Sequence, residues 1–153
     1  MEYNIPYRDI VNEFDTACQL HSQIASFDAG TIDFLDASSQ NRLYPYIFLR
    51  PVSALYTEGV RTNTFELYSL DQPHVSDGMN IDVISNTEIY IYDLLSYFNY
   101  GPASRQQVYS VTMTNCVPVN EAFADRLYGW VATIDVQTPF ALNFCEYPSG
   151  SSS

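Results

Sequence analysis

His21 and His74 are the two side chains here whose ordinary pKa lies near neutrality. Neither stands in a context that supplies a nucleophile. His21 flanks a helical apolar stripe, where a histidine at a core boundary is the expected reading. His74 falls in a Pro- and Gly-containing linker and is expected to be exposed. The nucleophile-elbow, HExxH, P-loop and GxGxxG patterns are absent. Cys18, Cys116 and Cys145 form an odd, widely spaced set without CxxC spacing, so buried free thiols are expected, and neither a disulfide framework nor a zinc site. Asp28, Asp33 and Asp36 lack the alternate-position oxygens and closing Glu of a calcium loop, and read as turn-forming residues around a short strand. Carboxylate pairs for glycoside hydrolysis would have to be selected by geometry that eighteen acids do not disclose. The reading is of no enzyme, with no catalytic, cofactor-binding or metal residues assigned.

The elements that would position any site come from periodicity. Asn4 is a candidate cap for a first helix over about residues 6 to 26, with Pro6 in its first turn. Its stripe runs Ile10, Phe14, Ala17, Leu20 or His21, and Ile24. Tyr44 to Arg50 reads as a strand with Ile47 and Leu49 opposed to Tyr46 and Phe48, so that both faces are covered. Thr64 to Leu70 reads as its hairpin partner. The stretch between them, Val52 to Thr62, is expected to be a loop and a contact element carrying Leu55 and Tyr56. A second helix, Asn80 to Asn99, carries Ile81, Ile84, Ile91, Leu95 and Phe98 at three- and four-residue steps, interrupted by Glu88 and ended by Gly101-Pro102.

Gln106 to Gln137 reads as a second hairpin. Tyr109, Val111 and Met113 form one apolar row, and Trp130, Ala132, Ile134 and Val136 form the other, expected to pack on Ile84, Ile91 and Leu95. Ser110, Thr112, Thr114, Thr133 and Asp135 make the opposite row polar. The connection Asn115 to Asp125, with Val117, Pro118, Val119 and Phe123, is too long and apolar for a tight turn. It is expected to be an arm that docks on a neighbouring subunit. Helices segregated from hairpins predict an α+β fold, an antiparallel sheet of about four or five strands packed against two amphipathic helices.

At 153 residues the chain reads as one domain over 1–148 with a flexible tail at 149–153, and a core that needs no disulfide or metal staple. Charged residues make up 16% of it and aromatic residues 15%, thirteen of them Tyr, a surface composition suited to contact with other subunits. The net charge is −12, and all six basic residues are Arg. Gripping duplex nucleic acid requires a basic patch, and this composition argues against one. An acidic surface would suit nucleic acid only where the task is sliding past it rather than holding it. No run approaches the ~18 apolar residues of a membrane span, and no basic segment followed by an apolar one opens the chain; a soluble protein is expected.

Several segments in their order resemble the small tail-terminator, tail-completion and neck-ring proteins of tailed bacteriophages. They are Gly30-Thr31-Ile32-Asp33-Phe34-Leu35-Asp36 ahead of Leu43 to Pro51, then Phe65 to Asp71 leading into the second helix. Phe123-Ala124-Asp125-Arg126-Leu127-Tyr128-Gly129-Trp130 then precedes the last strand, and Cys145 lies near the end. The resemblance spans about residues 6 to 148. It implies a virion structural protein that is assembled in the host cytoplasm and forms a homo-oligomeric ring of about six or twelve copies at the head–tail junction. It further implies neighbouring connector and tail proteins as partners, and DNA that passes without sequence-specific contact, with no cofactor and no membrane. The lack of Lys and the strong negative charge depart from what the resemblance alone would suggest. The competing reading is a Tyr-rich binding module for a glycan or peptide, such as a virion adhesion domain.

Overall fold

A computed structural model of the chain describes residues 4–31, 42–73, 80–106, 108–122, 126–142 and 148. Helix α1 (Tyr7–Leu20) is followed by strands β1 (Ser26–Ala29), β2 (Tyr46–Thr57) and β3 (Val60–Asp71), then helix α2 (Ile81–Asn99) and a short 3-10 turn. Strands β4 (Ser110–Ala122) and β5 (Leu127–Pro139) complete the order. The strands form one open sheet in the order β1-β2-β3-β5-β4. This is the expected α+β fold, with one difference in the sheet. β1 pairs with β2 in parallel, Ser26 opposite Tyr46 through Ala29 opposite Leu49, so the pair is not a hairpin.

Both helices lie on one face. From α1 they bury Ile10, Phe14, Ala17 and Cys18, and from α2 Val83, Thr87, Tyr90, Ile91, Leu94 and Phe98. These pack over Ile47, Leu49, Phe65, Leu67, Ala132, Ile134 and Val136. Phe14 is central: its ring centroid lies 4.4 Å from that of Phe98 and 6.2 Å from that of Phe65, joining the two helices and β3. Fully burying a ring of this size stabilises the fold by about 1.5–3 kcal/mol.

The sheet's other face is divided along its strands. At one end Tyr46, Phe48, Tyr68, Leu70 and Leu127 form a second buried cluster, so the strand expected to be covered on both sides is so. At the other end the face is polar, with Thr64 donating to Asp135 at 2.6 Å and Arg50 paired with Glu66.

Four local expectations are corrected. α1 ends at Leu20 rather than near residue 26, because His21 turns extended (ψ 129) and its Nδ1 accepts the Gln23 N–H at 3.1 Å. Ile24 still reaches the core, from outside the helix. Asn4 makes no cap; its amide instead bonds Ala141, donating to the carbonyl at 2.8 Å and accepting the N–H at 2.9 Å. On α2 the buried row runs through Thr87, not through Ile81 or Glu88. The Thr87 hydroxyl satisfies itself on the Val83 and Ile84 carbonyls, at 2.7 and 3.1 Å, and can therefore be buried. Ile81, expected in the stripe, is exposed, and so is Tyr92.

The largest corrections concern both hairpins. Val52 to Thr62 is not a loop of about a dozen residues: β2 continues to Thr57 and turns on Glu58-Gly59, where Gly59 adopts the φ of +80° that a tight turn favours. Of the expected arm Asn115 to Asp125, the described part, Asn115 to Ala122, does not project, and Phe123 to Asp125 lie outside the described residues. Asn115 to Ala122 continues β4 against β5, up to Ala122 opposite Leu127. In both cases the strand carries a proline (Pro51, Pro118) on its open side, where no ladder donor is lost.

Candidate subunit-contact surface

Hydrogen-bond alternation defines which backbone groups the sheet leaves open. The β2–β3 turn closes on the pair Thr57 and Val60, so Ala54 and Tyr56 aim their N–H and C=O away from β3. β1 occupies that side of β2 only from Tyr46 to Leu49, leaving Pro51 to Thr57 as an open edge among the described residues. All seven residues are exposed, Leu55 at 63%. Tyr56 lies against Phe140, with ring centroids 4.9 Å apart, and 6.0 Å from the Arg61 guanidinium.

β4 is the opposite edge. The Val111 N–H and C=O both bond the Asn99 side chain, which places them on the outer side of the strand. Alternation carries this to Met113, and past a bulge at Thr114 to Cys116 and Pro118. Val117 is 49% exposed, Pro118 is exposed, and Val119 is half-buried against the second cluster. Of the residues expected to make subunit contacts, the structure thus gathers Val117, Pro118 and Val119 on one edge and Leu55 and Tyr56 on the other. Phe123 lies outside the described residues.

The histidine and cysteine side chains among the described residues are engaged structurally. His21 Nε2 meets Asp93 Oδ2 at 2.7 Å while Nδ1 accepts from the Gln23 backbone, so the neutral ring donates to Asp93. With both nitrogens occupied it ties the end of α1 to α2 and has no lone pair left for a substrate proton. Burial, and next the Asp15 carboxylate, push the Cys18 thiol up to about 12, the reverse of what a nucleophile needs. Cys116 is half-buried and its thiol is raised as well, by burial and then by Glu88. His74 and Cys145 fall outside the described residues. Among the described residues no carboxylate is buried, and no three metal-ligating side chains cluster.

Two hollows of about 220 and 230 Å³ flank α1 and the start of β4. Both are smaller than the ~300–1,000 Å³ of a small-molecule site. Among the described residues the exposed tyrosines are spread over several elements: Tyr7 and Tyr56 lie on α1 and β2, Tyr92 and Tyr100 on and after α2. The described arginines are dispersed. Arg8 pairs with Asp9 and Arg50 with Glu66, Arg61 donates to the Ile5 carbonyl, and Arg42 stacks over Tyr46. Among the described residues no helix is long and apolar enough to cross a membrane.

The sequence signal for the two edges was their lack of charge: Pro51 to Thr57 and Ser110 to Asn120 carry no charged side chain. It was obscured because the first stretch reads as a loop and the second as an apolar docking arm. Compared with known protein families and with curated protein sequences, the chain matches none.

Proposed function

We propose that this chain is a structural subunit of a tailed-bacteriophage virion. It forms a homo-oligomeric ring at the head–tail junction, joins the connector to the tail and lets DNA pass. The observation that carries the assembly part of this reading is the pair of uncharged, exposed strand edges on opposite sides of one open sheet. Two different patches on opposite sides favour head-to-tail association, which closes into a ring when the rotation between copies closes. In a chain of charge −12, copies repel one another unless their contacts are uncharged, and Pro51 to Thr57 and Ser110 to Asn120 on the two edges carry no charged side chain. Dispersed arginines suit a wall along which DNA slides rather than one that holds it. The placement in a phage neck or tail rests on the order of sequence segments described above.

Native mass spectrometry and negative-stain microscopy of the purified protein test the reading. A closed ring of fixed copy number is the expected result. A chain that remains monomeric at high concentration, and within the particle that contains it, would exclude it.

A further inference from the structure

Resting on the ring reading, we infer that the open edge of β2 in one copy pairs as an antiparallel strand with the open edge of β4 in the next. Ala54 then stands opposite Cys116 of the neighbour, and Tyr56 opposite Met113.

The register follows from which backbone groups are free. On β4, Asn99 already holds both groups of Val111, and Pro118 has no N–H, so Met113 and Cys116 are the outward residues between two blocks. On β2, β1 covers the strand to Leu49 and Pro51 has no N–H, so Ala54 and Tyr56 are the outward residues before the turn. Two residues face two, with the Thr114 bulge absorbing the one-residue difference in spacing.

The direction follows from the sheet. β2, β3, β5 and β4 run alternately up and down. A ring rotation that keeps the helix-bearing faces on the same side therefore sets β4 antiparallel to the next β2, and the alternation continues. Side chains then match on both faces. Leu55 and Val117 share the face away from the helices, as their partners Thr62 and Val131 do. Ala54, Tyr56, Met113 and Cys116 share the helix-bearing face. Prolines and bulges ordinarily blunt sheet edges against uncontrolled pairing. Here they leave one short window on each edge, which selects a single register. Neither window, Ser53 to Thr57 nor Thr112 to Val117, contains a charged residue, so the contact brings no like charges together.

A disulfide reads the pairing directly. Opposed residues of an antiparallel hydrogen-bonded pair have Cα atoms about 5.5 Å apart, within the ~4.4–6.8 Å that a disulfide spans. Ala54→Cys is made in the full chain with Cys145→Ser and oxidised with copper–phenanthroline, below the alkaline range in which the fold loses stability. Within one copy the two positions lie on opposite sheet edges, so any bond between them joins copies. The expected result is a ladder of covalent multimers on a non-reducing gel that disappears when Cys116→Ser is added. Tyr56→Cys with Met113→Cys in a Cys116→Ser background should restore the ladder, which guards against a fold defect in any one variant. A dimer that persists without Cys116 would mean β2 pairs with β2, and would overturn the inference. Rings by mass spectrometry with no disulfide in either variant would overturn the strand pairing and leave the ring reading standing. A protein that is monomeric before oxidation would remove both.

Discussion

The side-chain amide of Asn99, the last residue of α2, holds both backbone groups of Val111 near the start of β4. Nδ2 donates to the Val111 carbonyl at 2.7 Å and Oδ1 accepts its N–H at 3.0 Å. Asn99 thus occupies the place of a neighbouring strand for one residue. It closes the end of an edge that is otherwise open among the described residues, and it fixes α2 to the sheet after the helix has run its length.

Replacing Asn99 by Ala leaves two partly buried backbone groups without a partner, which should cost about 1–3 kcal/mol for each group that water does not reach. Urea denaturation reads the loss, and amide exchange at Val111 should accelerate specifically. Unchanged stability with unchanged exchange would show that water substitutes fully for the amide.

Trp130 donates its indole N–H to the Ile84 carbonyl at 2.8 Å while its ring packs against the helix-bearing core. Trp130→Phe keeps most of the apolar surface and removes the donor. The expected destabilisation is about 0.5–1.5 kcal/mol from the hydrogen bond, with a further contribution from the smaller ring. A thermal melt that does not move would mean the indole N–H contributes nothing net.

Gly129 sits where β5 crosses Leu70 of β3, and a Cβ there would overlap the Ser69 carbonyl oxygen. The obstacle is backbone, which cannot move aside as a flexible side chain can. Gly129→Ala should therefore destabilise by more than about 3 kcal/mol or prevent folding. Soluble expression and a chemical melt decide, and a near-native variant would show that β5 can shift away from β3.

Alkaline pH should unfold the protein through groups whose protonated form the fold favours. The Cys18 thiol rises from 9.0 to about 12, through burial first and Asp15 second. The Tyr97 hydroxyl rises from 10.0 to about 12, through burial and then its bond to Glu13. Both pKa values are raised on folding, so their contribution is intact below pH 9 and is lost as pH climbs from 9 towards 12. Cys18→Ala should make the fall in stability over that interval shallower. An identical slope in the variant would exclude Cys18 as a contributor.

Leu55→Glu and Val117→Glu each place a carboxylate on one edge of the sheet, at exposed positions where a substitution ordinarily changes stability by no more than about 0.5 kcal/mol. Both should abolish assembly in native mass spectrometry while the monomer melts as before. If one variant assembles normally, its edge is not a contact.

The sequence determines much of this protein through periodicity alone. The α2 segment, the row Trp130-Ala132-Ile134-Val136 and the double-faced strand at Tyr46 to Leu49 are legible because burial repeats every three to four residues on a helix and every second residue on a strand. What it could not decide is how far each strand runs. Val52 to Thr62 reads locally as a loop and Asn115 to Asp125 as an arm, and only the tertiary arrangement shows strands continuing there, with Pro51 and Pro118 on open edges where a missing N–H costs no ladder bond. The partner of a polar side chain was equally out of reach. Asn4 reads as a helix cap but bonds Ala141, 137 positions away. Asn99 reads as the end of a helix and becomes the lateral partner of Val111. Such roles depend on which distant backbone group the folded chain leaves unpaired, and that is a property of the assembled sheet rather than of any local run of residues.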